Sequence, residues 1–366
     1  MEKAINRNSY KVVYDNIVFS LQKAGGISGV WGELISRTIK KSEFDCSFLE
    51  YRAANVNINR KDLFIPDDTL IEGGILPVQV ERFLNPKLDR SGNFIFHSSY
   101  YRTCNSLNAK NVTTVHDFIH ERFRSRILYI NHVQKKRAVL KSDAIICVSE
   151  STKKDLLNYF PKINRDKVYV VYNGVDDRIF KKLAIEEPID IFNLGKYVLF
   201  VGNRDQAYKN FKSVVHALKD HPDLNLVVVG GGRPSTKERE NIKKELNGRI
   251  HFLSNVCNNE LNILYNFSYA LLYPSLYEGF GMPIIEAQSA GCPVIATNCS
   301  SIPEIAGDSA ILVENGTSVE LSHSLHLLKD VAVRSAYVEK GFSNSTRFSW
   351  EKMANKVADI YKEILT

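Results

Sequence analysis

No apolar run in this sequence approaches the roughly 18 residues that a membrane-crossing helix needs, and the opening decapeptide, MEKAINRNSY, is polar with no signal-like segment. A cytoplasmic protein is expected. The six cysteines (Cys46, Cys104, Cys147, Cys257, Cys292 and Cys299) form no C-x-x-C pair and no metal-ligand spacing, which argues against a zinc site or disulfide framework. Reduced core thiols fit them better. Neither G-x-G-x-x-G nor G-x-x-x-x-G-K-[ST] occurs, so a dinucleotide or ATP loop of those kinds is not expected. Internal repeats and low-complexity tracts are also missing.

What is present is alternation. Apolar strand-like segments recur at 12–19, 44–51, 94–99, 112–117, 144–149 and 168–172, and again at 197–202, 224–230, 250–253, 270–273, 293–297 and 310–313, with helical patterns between most of them. This is the pattern of parallel sheets covered on both faces. A chain of 366 residues is long enough for two such α/β domains, each burying its own core. Residues 176–196, with Pro188 and little periodicity, read as the linker.

The densest chemistry lies in YEGFGMPIIEAQSAG, residues 277–291. The preceding residues 268–275 read as a buried strand and 282–290 as a helix, with Pro283 in its first turn, where the missing N–H costs nothing. Main-chain amides of Phe280, Gly281 and Met282 then lie at the positive end of a helix, a natural anion site, and the glycines allow close approach. Glu278 stands just before them. Glu286, two turns on, can return toward the same mouth and suits vicinal hydroxyls. A nucleotide sugar has both features.

This E-x7-E with its glycine–phenylalanine–glycine turn and following A-x-x-x-G resembles the retaining family 4 glycosyltransferases of the GT-B fold. The resemblance implies two Rossmann-like parallel-sheet domains facing across a cleft: 1–183 binding acceptor, 184–348 binding the nucleotide sugar, and 349–366 as a helix crossing back to the first domain. It also implies roles. Gly25 and Gly26, in the AGGISG loop, would approach donor phosphate and acceptor; His116, at the end of the strand VTTVHD, would reach the transferred sugar, with Asp117 holding local structure. In VGNRDQAYKN, Arg204 and Lys209 stand where family members carry cations for the donor diphosphate, although Asn203 intervenes before the arginine. Arginine offers a fork for phosphate oxygens and lysine a compact charge. Glu278 would hold the sugar and Glu286 the ribose.

The expected activity is transfer of a hexose, first mannose from GDP-mannose, to a glycan or lipid-linked glycan acceptor in cell-surface polysaccharide synthesis, with retention and without metal or cofactor. VHDFIHERF and SDAIICVSESTKKDL most resemble bacterial mannosyltransferases of that kind. Other readings are a GT-B epimerase or phosphorylase, or a non-enzymatic anion- or nucleic-acid-binding module. Residues 1–183 hold 30 Lys and Arg against 20 Asp and Glu, whereas the remainder is net −3. Much of this charge falls on Arg122, Arg124, Arg126, Lys135, Lys136, Arg137, Lys141, Lys153 and Lys154, which a solvated face or an anionic membrane surface at the inner leaflet would explain. Without an interleaved aromatic platform, nucleic acid is not an expected partner.

Overall fold

The apolar segments form two separate, wholly parallel sheets in a computed structural model that describes residues 9–123, 128–184 and 194–366. By its internal contacts the chain divides into Met1–Gly174 with Trp350–Thr366, and Val175–Ser349. Each unit is α/β and Rossmann-like.

In the first unit β1 (Tyr10–Asp15), β2 (Phe44–Glu50), β3 (Leu70–Glu72), β4 (Phe94–Ser98), β5 (Ala109–Val115), β6 (Ala144–Cys147) and β7 (Val168–Val170) lie in the order β3-β2-β1-β4-β5-β6-β7. Pairing Val12 with Ile95 and Val13 with Phe96 puts β4 at the centre, where all five of its residues are buried. Strands covered on both faces read as continuous apolar runs, which is why the sequence revealed them. Two expectations are corrected. The strand expected at 12–19 stops at Asp15, because Asn16 turns its side chain to the indole N–H of Trp31 (2.8 Å) and Ile17–Leu21 becomes helix. The three-residue β3, on the sheet edge and half exposed, was too short to leave a periodicity.

In the second unit β8 (Tyr197–Val201), β9 (Asn225–Val229), β10 (Ile250–Leu253), β11 (Leu271–Tyr273), β12 (Val294–Thr297) and β13 (Ile311–Val313) are ordered β10-β9-β8-β11-β12-β13. The second unit begins at Val175, nearer the N-terminus than the expected 183/184 junction. Val175 pairs with Ser349 in a parallel bridge, and the main chain of Lys181 and Leu183 donates to Asn262 and Asn266, so 175–183 are built into this unit. Of the expected linker, residues 185–193 lie outside the described residues.

Helix Trp350–Leu365 packs in the first unit through a stripe of Trp350, Met353, Ala354, Val357, Ala358 and Tyr361. Burial holds it there, since each large apolar side chain contributes about 1.5–3 kcal/mol, whereas its half-exposed Lys362–Glu43 pair is worth about 0–1 kcal/mol. Tyr361 also hydrogen-bonds His97 Nδ1 in the core. Strand order reverses between β1 and β4 and between β8 and β11, and in open parallel sheets ligands bind beyond the strand C-termini at such switch points.

Candidate active site

At the second switch point the chain leaving β8 and the chain leaving β11 bring Lys209 and Glu278 together. Lys209 Nζ donates to Glu278 Oε1 at 2.6 Å and lies 3.4 Å from the Tyr273 hydroxyl, with both charged side chains mostly buried. The tail of Lys209 passes over Gly202, which has φ 147°; a Cβ there would meet Lys209 Cε at 3.6 Å. A Cβ would sit there in ordinary contact, so it is the backbone conformation that favours glycine. Burial, then the Glu278 charge, holds the Tyr273 hydroxyl well above its ordinary pKa, so it stays a donor.

The loop carrying Glu278 is held from behind by two serines. Glu278 N–H donates to Ser300 Oγ at 2.8 Å, and the buried Ser301 hydroxyl lies 3.0 Å from Glu278 O and 2.9 Å from Phe280 O as their donor. Ser300 takes φ 49°, a left-handed conformation that a non-glycine residue adopts only at a cost. Fixing two carbonyls toward Ser301 fixes the peptide planes around Gly279–Phe280. Gly281 follows at φ 108° as N-cap of helix Met282–Ser289, with Pro283 in its first turn. The Phe280 ring packs edge-on against Phe348 at 5.7 Å.

Glu286, on the second turn of that helix, does not join the Lys209–Glu278 pair. Its Oε2 accepts from the buried Tyr265 hydroxyl at 3.0 Å. Burial pushes the Glu286 carboxyl up to about 7, with the Tyr265 hydrogen bond opposing.

Arg204, expected as a diphosphate ligand, is engaged within its own unit in this structure. Its buried guanidinium is a fork on Glu238 (Nε to Oε1 2.7 Å, Nη2 to Oε2 3.2 Å), and Nη1 reaches Gly232 O at 3.0 Å and Gly230 O at 3.3 Å. The guanidinium points to the turn Gly230–Gly231–Gly232, whose three φ angles are all positive. A Cβ on Gly231 would come within 2.8 Å of Arg204 Nη1. Here Arg204 staples a glycine turn.

In the first unit His116 follows β5 directly. Burial and the Lys135 charge bring its pKa down to about 4 against the opposing pull of Asp117, so the ring is neutral near pH 7. Asp117 Oδ1 accepts from Ile119 N–H at 3.1 Å, a local structural role. His97 is buried between Trp31 and Tyr361. Gly25, the N-cap of helix Gly26–Thr38, has extended φ of 165°, and Gly26 is helical, so neither glycine answers a need for positive φ. A Cβ on Gly25 would meet Gln22 Oε1 at 2.6 Å, whereas Gly26 faces open space.

The basic segment is not one face. Lys135 is buried, with Nζ 2.9 Å from Glu121 Oε2, 2.7 Å from Asp117 O and 4.2 Å from the centre of the Phe118 ring, so it is unavailable to a membrane. Arg122 faces Asp155 at 3.5 Å; Lys136, Arg137 and Lys141 are exposed; Arg124 and Arg126 lie outside the described residues. Among the described residues no cluster of three His, Cys, Asp or Glu could hold a metal ion, and no helix is long and apolar enough to cross a membrane.

Sequence reasoning missed Ser300, Ser301, Tyr265, Tyr273 and Glu238. The serines and Glu238 act from 21 or more residues away in sequence, where no motif spacing reports them.

Comparison with known proteins is consistent with this geometry. Residues 182–361 match the family described as glycosyl transferases group 1, and 91–178 match glycosyltransferase family 4. The O-antigen chain mannosyltransferase B of Escherichia coli is 36% identical over 116 residues, 31% of this chain and 30% of the relative. The O-antigen chain mannosyltransferase RfbU of Salmonella typhimurium is 31% identical over 181 residues, 49% of this chain and 48% of the relative. The chain thus spans less than half the length of either. The Anabaena protein HepE, solved with UDP-glucose, superposes with a TM-score of 0.70 at 15% identity over 96% of this chain and 99% of that one, which places the fold in the GT-B class.

Proposed function

We propose that this chain, which carries a glycosyl transferases group 1 domain behind a glycosyltransferase family 4 domain, moves a hexose from a nucleotide-diphosphate sugar to a glycan or lipid-linked glycan acceptor. The observation that carries the reading is the Lys209–Glu278 pair at 2.6 Å, at the switch point and beside the Gly281 cap of a helix. Mannose from GDP-mannose is the first choice, supported by likeness to the two mannosyltransferases. UDP-glucose is the second, supported by the ligand of HepE.

The steps follow from charge. Lys209 and Glu278 neutralise each other. A bound donor takes both: its diphosphate draws the ammonium and the main chain at Phe280, Gly281 and Met282, while its hexose hydroxyls donate to the freed Glu278 carboxylate. Glu286 receives the ribose hydroxyls. The anomeric C–O bond breaks with its electron pair going to the diphosphate, the acceptor oxygen bonds the same face, and its proton passes to a diphosphate oxygen, so configuration is retained. Neutral His116 supplies a hydrogen bond to sugar hydroxyls rather than charge. Lys209 and the helix terminus stabilise the leaving group, the role a metal fills elsewhere, and we assign none to this reaction. Arg204 supports the Gly230–Gly232 turn.

We place the protein in the cytoplasm, peripheral at the inner membrane face through Lys136, Arg137 and Lys141. A screen of nucleotide sugars with EDTA and no acceptor tests the reading. Slow release of one hexose, first formed as the donor's own anomer, is expected. Hydrolysis of none, or an absolute requirement for Mg²⁺ or Mn²⁺, would overturn it; the inverted anomer would remove retention.

A further inference from the structure

The first unit contains a cavity of about 250 Å³ that none of the chemistry above uses. It lies between the segment that follows helix Val78–Glu81 and helix Leu128–Lys141, and its walls include Phe83, Tyr101, Ile130, Val133 and Ala138, with Arg137 on the same lining. Three of these apolar side chains are abnormally open to water: Phe83 is 41% exposed, Ile130 55% and Val133 44%. Converging exposed apolar groups around a concave floor mark a binding site more often than chance. The space is adequate, since roughly 150 Å³ of apolar cavity already admits benzene.

Its neighbours narrow the occupant. Tyr101, whose ring is a wall of the cavity, is also hydrogen-bonded to the main chain of His116, so the cavity shares a wall with the end of β5. The nearby cations divide cleanly: Lys135 is consumed by Glu121, and Arg82 by Tyr100 and Asn131, while Arg137 stays exposed with Lys136 and Lys141 on the same helix. An apolar floor with exposed cations at its side is complementary to a molecule with an apolar chain and an anionic head.

We propose that this cavity receives the apolar chain of a phosphate-bearing lipid, with Arg137 contacting the phosphate. This rests on the reading of the first unit as the acceptor domain and names the acceptor's class. The chain segment nearest the phosphate fills the space between Phe83, Ile130 and Val133, and the head lies toward Tyr101 and β5.

Farnesyl phosphate, farnesol and inorganic phosphate, titrated calorimetrically below micellar concentration, test this. Farnesyl phosphate should bind with a negative heat-capacity change, and inorganic phosphate should neither bind measurably nor displace it. Ile130→Gln with Val133→Gln should weaken farnesyl phosphate and farnesol alike by tenfold or more. Arg137→Gln should weaken only farnesyl phosphate and remove most of its salt dependence. All three positions are on the surface, and melting temperature checks that the variants fold. Absence of farnesyl phosphate binding, undiminished binding in the Gln pair, or displacement by phosphate would overturn the proposal. So would concentration-dependent dimerisation of the unliganded protein that the Gln pair abolishes, since a second copy would then be the occupant. Wild-type hydrolysis of nucleotide sugars is a separate readout: binding without hydrolysis sinks the transferase reading, and hydrolysis without binding sinks only the cavity.

Discussion

The two strand-end sites of this protein invert the charge of the regions that carry them. Residues 1–183 are strongly basic, yet the histidine at their strand end is uncharged near neutrality: His116 is pulled down to about 4, chiefly by burial. The rest of the chain is slightly acidic and holds the cation that matters, Lys209, locked to Glu278 at 2.6 Å. Net charge governs encounter with partners over distances near the Debye length, about 8 Å at physiological salt. Chemistry is set by the few groups within hydrogen-bond reach. A diphosphate leaving group needs a fixed cation, whereas an acceptor hydroxyl needs only neutral donors and acceptors.

Breaking the charged site should have the largest effect. Lys209→Ala should lose roughly 2–4 kcal/mol of transition-state stabilisation, mainly in kcat for donor hydrolysis, and should leave Glu278 buried without its partner. Arg204→Gln sharpens the comparison, because a staple and a phosphate ligand fail differently. We expect its loss to lower the melting temperature while kcat, corrected for folded protein, changes severalfold at most. A kcat deficit equal to that of Lys209→Ala would return Arg204 to the phosphates.

Next in size is the serine brace. Ser301→Ala strands two carbonyls that its hydroxyl satisfies, at about 1–3 kcal/mol, and should relax the Glu278–Phe280 loop enough to cut kcat about tenfold. Ser300→Gly removes the bond to Glu278 N–H but also the left-handed strain, so it should be milder than Ser300→Ala. Equal kcat in wild type and Ser301→Ala would show that the brace is structural only.

The smallest effect concerns Glu286, whose carboxyl titrates near neutrality. Its pKa in the folded protein, about 7, lies above the ordinary carboxylate value, so the proton is held up to pH 7 and ionisation is completed above it. That burial therefore costs stability progressively as pH rises from the unfolded value, about 4.3, through 7. Tyr265 faces the carboxylate and stays protonated throughout. If the carboxylate accepts both ribose hydroxyls, nucleoside diphosphate affinity should rise severalfold between pH 6 and 8. The rise should vanish in Glu286→Gln and move to higher pH in Tyr265→Phe, where the hydrogen bond that favours ionisation is gone. A pH-independent affinity in wild type would remove Glu286 from the ribose.

Much of this was legible in the sequence for one reason: strands buried on both faces and a helix opened by glycine and proline are local patterns. Lys209 and Glu278 stand at strand ends, so their meeting followed once β8 and β11 were neighbours. Long-range competition stayed hidden. Nothing around Arg204 announces Glu238, and nothing in the run Lys135-Lys136-Arg137 marks the first as buried on Glu121 while its neighbours face water. Helical phase decides that. Val18 and Phe19 read as strand because they are buried, and burial alone does not separate a strand end from a short helix.

Affinity for a nucleoside diphosphate against its monophosphate, measured calorimetrically with EDTA in wild type and Lys209→Ala, tests the central claim most directly. The account predicts a diphosphate preference of at least tenfold in wild type that collapses toward unity in Lys209→Ala. Equal affinities for the two nucleotides in wild type, or a preference untouched by the substitution, would contradict it.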